Sequence, residues 1–97
     1  MDWTATALSD GDNVATVMRP VHAGETIVVA INGRMMEVTA LESIALCHKI
    51  ALSDLAEGDP VIKYGECIGI AVAAIRRGAW VHTHNLRSRR AQARSTQ

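Results

Sequence analysis

A short phrase recurs four times in this 97-residue chain: a glycine, usually an acidic residue, one free position, then Val or Ile. The copies are Gly11-Asp12-Asn13-Val14, Gly24-Glu25-Thr26-Ile27, Gly58-Asp59-Pro60-Val61 and Gly78-Ala79-Trp80-Val81. Glycine accepts the positive φ of a tight turn without steric cost, and a β-branched residue opens a strand, so each phrase reads as a turn into a strand. Successive copies are 13, 34 and 20 residues apart. A solenoid would repeat at a constant period; this irregular spacing instead predicts recurrent local geometry inside one compact sheet. A chain of this length has room for one small domain and no second independent core.

The apolar residues between the turns agree with a β-rich reading. Val, Ile and Leu number 23, Ala 15 and aromatics only three, with no Phe, so the interior must be built from small and β-branched side chains, which favour sheet. Seven short strands are predicted, at 14–18, 26–31, 35–39, 49–52, 61–64, 68–73 and 80–84. Asn32-Gly33 separates the second from the third. This dipeptide accepts the positive φ values of a two-residue hairpin turn, so those two strands should pair antiparallel. Residues 39–46 place Leu41, Ile44 and Ala45 at helical spacing, but two turns are too few to decide between helix and loop. The expected organisation is a lead-in over 1–10, a mainly β domain over 11–90 and a basic, flexible tail over 91–97.

Charge and composition exclude several functions. Ten Lys plus Arg balance ten Asp plus Glu, leaving no global field for nucleic acid or an anionic membrane. The neutral total hides Arg87, Arg89, Arg90 and Arg94, which lie among eleven residues without an acid; a solvated end is the simplest explanation. The longest apolar stretch, Ile68 to Ile75, has eight residues, against roughly 20 for a membrane-spanning helix. No basic region followed by an apolar one opens the chain, so a cytoplasmic location is expected. Cys47 and Cys67 lack a CxxC spacing and read as small buried hydrophobes rather than as a disulfide, a zinc knuckle or nucleophiles.

The residues with chemical potential are few. If 80–84 is a strand, His82 and His84 project from one face with Cα atoms about 6 to 7 Å apart, and Thr83 from the other. Paired imidazoles can transfer protons, ligate a metal or simply satisfy groups at a sheet end. The further donors His22, His48 and the cysteines have no diagnostic zinc spacing. Lys49 and Lys63 are the only lysines, and both fall inside β-rich runs. Each could snorkel to solvent; together with the histidines they could cradle a small hydroxy-carboxylate.

In order along the chain, His48-Lys49-Ile50-Ala51-Leu52, Gly58-Asp59-Pro60-Val61-Ile62-Lys63-Tyr64-Gly65, Ile68-Gly69 and Trp80-Val81-His82-Thr83-His84-Asn85-Leu86 resemble the small SAF-type domain of the altronate and galactarate dehydratase family. The resemblance runs from Gly11 to about Arg90. It implies a β-clip fold and association, as a homo- or hetero-oligomer, with a large catalytic dehydratase subunit. Together they would remove water from a sugar acid using a divalent metal, commonly iron, held mainly by the large chain. By the same resemblance His82, His84 and His48 are candidate catalytic residues, and Lys49, Lys63, Tyr64, Thr83 and Asn85 candidate substrate-binding residues. No complete metal site is expected in this chain, with His82 or His84 as at most a single ligand.

Two rival functions follow from similar proteins: a sulfolactate sulfo-lyase small subunit, and a non-catalytic carbohydrate-binding or assembly module. The chain departs from the family pattern at one place. The usual I-P-x-G before H-K is replaced by Ile44-Ala45-Leu46-Cys47; the lost Pro loosens the approach, and a Cβ at the glycine position disfavours positive φ.

Overall fold

The computed structural model describes residues 3–88; the tail predicted at 91–97, with Arg89, Arg90 and Arg94, lies outside the described residues. Nine strands and no helix occur among the described residues: β1 (Ala5–Ala7), β2 (Val14–Val17), β3 (Thr26–Ile31), β4 (Arg34–Thr39), β5 (Lys49–Ala51), β6 (Pro60–Lys63), β7 (Glu66–Ala71), β8 (Trp80–Val81) and β9 (Leu86–Ser88). Six form a mixed sheet in the order β4-β3-β1-β2-β5-β8, and three form an antiparallel sheet in the order β6-β7-β9. The fold is mainly β, as the composition predicts. Each of the seven expected runs overlaps a strand, with ends that differ by up to three residues. Asn32 (φ 46°) and Gly33 (φ 80°) make the β3–β4 hairpin turn, with Ile31 opposite Arg34.

Two strands were missed. β1 lies in the stretch read as a lead-in, yet it pairs parallel to β3 and antiparallel to β2 in the interior of the large sheet. Its residues are Ala-Thr-Ala, too small and too few to signal a strand by pattern; Ala5 and Ala7 are buried in the first core. β9 pairs with β7, and Gly69 makes the approach possible. A Cβ at Gly69 would collide with the carbonyl oxygen of Arg87.

Four turns share one construction. Val21, Ile44, Leu55 and Ile75 are buried, and each stands three residues before a left-handed position: Gly24 (φ 87°), Cys47 (φ 70°), Gly58 (φ 91°) and Gly78 (φ 90°). The amide after that position returns to the carbonyl three residues back, Glu25 to His22, His48 to Ala45, Asp59 to Ala56 and Ala79 to Arg76, at 3.0–3.1 Å. The turns then pair two by two. Val21 bridges Ile44, and Leu55 bridges Ile75. In the first pair Gly24 donates to Ala40 and Cys47 to Val17; in the second Gly58 donates to Ala71 and Gly78 to Ala51.

The fourth copy of the repeated phrase is therefore Cys47-His48-Lys49-Ile50 and not the one at Gly11, which has no positive φ. The acid after glycine closes its own turn: a Glu25 carboxylate oxygen accepts the His22 amide at 3.1 Å, and Asp59 accepts the Ala56 amide at 2.8 Å. The Arg19 guanidinium and the His22 amide hold the Glu25 carboxyl at about 2.

Two cores lie on opposite faces of the β5–β8 end of the large sheet. Ile50, with Val17, Ile27, Val29 and Ile44, fills the first, against which Trp80 packs. Val14, Ala51 and Val81 join Val61 and Ala71 of the small sheet in the second. Burying one such Val or Ile side chain contributes about 1.5–3 kcal/mol.

Polar groups tie the two sheets together. Asn13 acts as a strand partner for β6, accepting the Ile62 amide at 2.7 Å and donating to the Pro60 carbonyl at 2.9 Å. Asp12, 6% exposed, accepts four amides: Leu8, Ser9 and Tyr64 at 3.0–3.2 Å and Gly65 at 2.8 Å. Burial pushes its pKa up, but the four donors outweigh burial and hold it below the usual aspartate value.

Candidate functional site

β8 ends at Val81, so the strand predicted through His84 does not form. The cause is Asn85. Its Oδ1 accepts the His82 amide and its Nδ2 donates to the Trp80 carbonyl, both at 2.9 Å. The amides of Asn85 and Leu86 both return to the His82 carbonyl, at 3.1 and 2.9 Å. A short polar side chain that satisfies the backbone locally competes with a ladder, and here it turns the chain into β9. His82 and His84 therefore do not share a strand face, and the turn brings them together by another route. His82 stacks on Trp80 with centroids 5.4 Å apart, and His84 lies 4.6 Å from the same indole, tilted by 38°.

The third imidazole arrives through the β5–β8 ladder. Ile50 faces Trp80 and Lys49 faces Val81; one step further, His48 comes to His82. Their rings stack at 4.2 Å with planes 14° apart. His48 Nδ1 accepts the Trp80 indole N–H at 3.0 Å, so the neutral ring carries its proton on Nε2. The left-handed turn at Cys47 delivers His48 to this place. The departure from the family pattern thus changes the residue at the turn and not its backbone. Cys47 itself is exposed and Cys67 half-buried, contrary to the reading of both as buried hydrophobes.

Lys49 points to the other face of β5, toward the small sheet. There a cleft of about 240 Å³ is lined by Lys49, Ile68, His82, Thr83, Leu86 and Ser88. Burial lowers the Lys49 pKa, and the Lys63 ammonium lowers it further, so the two lysines reach one region although they are 14 positions apart in sequence. Burial likewise lowers the His82 pKa, with smaller contributions from His48, Lys49 and His84. The lowered His82 pKa favours its neutral form, and beside the Lys49 ammonium this suits an acidic ligand: the cation attracts the anion while the imidazole stays free to accept a proton.

The remaining expected residues separate into two groups. Thr83 is exposed at the cleft. Tyr64 and Asn85 hold structure: Tyr64 (φ 54°) forms the β6–β7 hairpin turn with Gly65, its hydroxyl donates to Thr16 Oγ1 at 3.4 Å, and the Lys63 ammonium lies 5.0 Å from its ring centroid; Asn85 has both amide ends engaged within its own turn. Sequence reasoning missed Trp80 and Asp12. An indole two positions before His82 in a β run would share its face, and that signal was available for Trp80. Two of the amides that Asp12 accepts, Leu8 and Ser9, are local, but its link to Tyr64 and Gly65, more than fifty residues away, leaves no mark on the sequence.

The imidazoles do not make a metal centre by themselves. Ligand lone pairs lie in the ring plane and must converge on the ion, whereas His48 and His82 lie nearly parallel face to face, and His48 Nδ1 is engaged by Trp80. No group of three His, Cys, Asp or Glu side chains among the described residues is arranged to hold a metal ion. No described helix is long and apolar enough to cross a membrane.

Comparison with known proteins agrees with the motifs. The profile of the altronate/galactarate dehydratase SAF domain matches residues 3–89. The (2R)-sulfolactate sulfo-lyase subunit alpha of Chromohalobacter salexigens is 38% identical over 76 residues, covering 76% of this chain and 81% of that protein. Its counterpart from Paracoccus pantotrophus is 43% identical over 63 residues, 65% of this chain and 94% of that protein. The altronate dehydratase of Escherichia coli is 42% identical over 77 residues, which is 79% of this chain but only 15% of that enzyme. With the profile spanning nearly the whole chain and relatives well above 30% identity, this chain belongs to the altronate/galactarate dehydratase SAF domain family.

Proposed function

We propose that this chain is the small subunit of a metal-dependent lyase of the altronate/galactarate dehydratase type, acting in the cytoplasm with a large catalytic partner to eliminate water from a sugar acid. The observation that carries the reading is the meeting of His48, His82 and His84 around Trp80 at the edge of a cleft bearing Lys49, with Lys63 nearby. Elimination requires loss of a weakly acidic proton beside a carboxylate. In this reading the lysines hold the carboxylate and a bare nitrogen of His82 takes the proton. The C–H electron pair becomes the C=C bond as the neighbouring C–O bond breaks and hydroxide leaves; the resulting enol then becomes a keto acid.

The divalent metal, iron by family resemblance, is assigned to the large partner, because His48 and His82 do not converge on an ion. Alone, the chain should be inactive. A second reading, the small subunit of (2R)-sulfolactate sulfo-lyase, is favoured by one observation: the relatives that this chain covers over 81% and 94% of their length bear that name. Lysines that attract a carboxylate attract a sulfonate equally. The test is to combine the chain with its large partner and assay keto-acid release from altronate and galactarate, and pyruvate release from (2R)-sulfolactate. Keto acid from a sugar acid, only when both chains are present, supports the dehydratase reading; pyruvate from sulfolactate alone replaces it with the second. Dehydratase turnover by the isolated chain would refute the division of labour.

A further inference from the structure

Trp80 is held through both its backbone and its ring. Its amide donates to the Glu42 carboxylate at 3.0 Å, its carbonyl accepts Asn85 Nδ2 at 2.9 Å, and its ring packs against the first core. From that fixed frame the indole N–H reaches His48 Nδ1 at 3.0 Å across 32 residues of sequence. An indole nitrogen can only donate, and a neutral imidazole has one donor and one acceptor nitrogen. The contact therefore exists only while Nδ1 is bare and the proton sits on Nε2. The imidazole nitrogens of His82 and His84 make no hydrogen bond among the described residues, so of the three clustered rings only His48 has its tautomer selected by a partner.

We propose that Trp80 is a positioning residue whose indole N–H locks His48 in the Nε2–H tautomer, making His48 a fixed hydrogen-bond donor to an oxygen of the acidic ligand and not a base. Donors that are oriented before the ligand arrives lose no reorganisation free energy when it binds or reacts. Stacking against Trp80 and His82 fixes the plane of the His48 ring, at 5.8 and 4.2 Å, and the hydrogen bond fixes which edge carries the proton. The inference rests on the proposed function for its ligand, but the tautomer itself does not depend on that reading.

The test begins with nitrogen-detected NMR of the full, ¹⁵N-histidine-labelled chain at a pH where the rings are neutral. His48 should show the Nε2–H tautomer almost alone, and Trp80→Phe, which keeps a stacking ring and removes the donor, should release a mixture of tautomers. A wild-type His48 with its proton on Nδ1, or an equal mixture of the two tautomers, overturns the proposal even if the variant fails to fold.

The second arm uses the assembled two-chain enzyme with a sugar acid or sulfolactate. Trp80→Phe should lower kcat roughly tenfold, the effect of one well-placed hydrogen bond, with little change in KM. In a His48→Gln background, where the donor amide has no tautomer to select, the same change should cost less than twofold. Equal losses in both backgrounds would mean that Trp80 acts through packing alone and would overturn the proposal. A locked tautomer in an assembly that turns over neither substrate would count against the proposed function while leaving the lock intact.

Discussion

His48 and His82 meet because Lys49 lies directly opposite Val81 in the β5–β8 ladder. Antiparallel register sums to a constant, so the step after the Lys49–Val81 pair brings residue 48 to residue 82, and the two rings stack at 4.2 Å. Histidines 34 positions apart in sequence become neighbours through a ladder only two rungs long. The site therefore depends on turns that terminate those short strands, and its stability can be tested through them.

Gly78 and Gly58 share a left-handed backbone, with φ 90° and 91°, but not their surroundings. A Cβ at Gly58 meets nothing within 4 Å, whereas one at Gly78 would collide with the Thr39 carbonyl. Gly58→Ala should cost about 1–2 kcal/mol from backbone strain alone. Gly78→Ala should cost at least about 2 kcal/mol more, because the obstacle is backbone that cannot rotate away. Equilibrium denaturation of both variants checks the difference; equal losses would mean that the contact at Thr39 relaxes freely.

Cys47 is the one non-glycine residue at the left-handed position of the four paired turns. Removing its Cβ should relieve strain, so Cys47→Gly should stabilise the fold by roughly 0.5–1 kcal/mol, the gain being reduced by the greater freedom of glycine in the unfolded chain. Cys47→Val should destabilise it. Thermal unfolding of the three proteins reads the order directly, and a lower midpoint for the glycine variant would contradict the assigned strain.

The buried Asp12 carboxylate serves four amides from two loops. Asp12→Ala should destabilise by roughly 3 kcal/mol or more, since it leaves several donors without partners. Its pKa is lowered on folding. This carboxylate therefore contributes stability above its unfolded value near 3.8 and loses that contribution as pH falls through the lower folded value. The variant should accordingly show a weaker loss of stability between pH 4 and strongly acidic solution than the wild type. Parallel curves would remove Asp12 from the acid response.

His82 behaves oppositely to a histidine that gains an anionic partner. Burial and the neighbouring His48, Lys49 and His84 lower its pKa. Between the folded value and 6.5 the unfolded chain binds more protons, so stability is full above pH 6.5 and is lost as pH falls through the lower folded value. Replacing His82 by Gln should flatten that part of the stability curve, measured by denaturation across pH 4 to 8. A steeper dependence in the variant would show that the assigned direction is wrong.

What the sequence disclosed, and what it hid, follows the range of the interactions involved. The Asn32-Gly33 turn and the left-handed glycines at 24, 58 and 78 were legible, because a positive φ leaves its mark on the residue that adopts it. The fourth paired turn is not marked by the phrase because Cys47 stands where the other three have glycine, whereas Gly11 carries the phrase without the positive φ. Ala5–Ala7 was hidden for the opposite reason: three small residues carry no pattern of their own, and the strand is defined by its pairing with β2 and β3. At the site, the motif singled out His82 and His84, but the strand invoked to align them is replaced by an Asn85-braced turn. The link from Trp80 to His48 is a tertiary contact, visible only once the β5–β8 register is known.

The proposed division of labour is tested most directly by His82→Ala in the two-chain enzyme, with assembly followed by sedimentation and turnover by keto-acid release. Full assembly with turnover reduced at least about a hundredfold, in the range expected for loss of a general base, is the predicted result. Unchanged turnover in a fully assembled complex would contradict a chemical role for the imidazole cluster and leave this chain a scaffold.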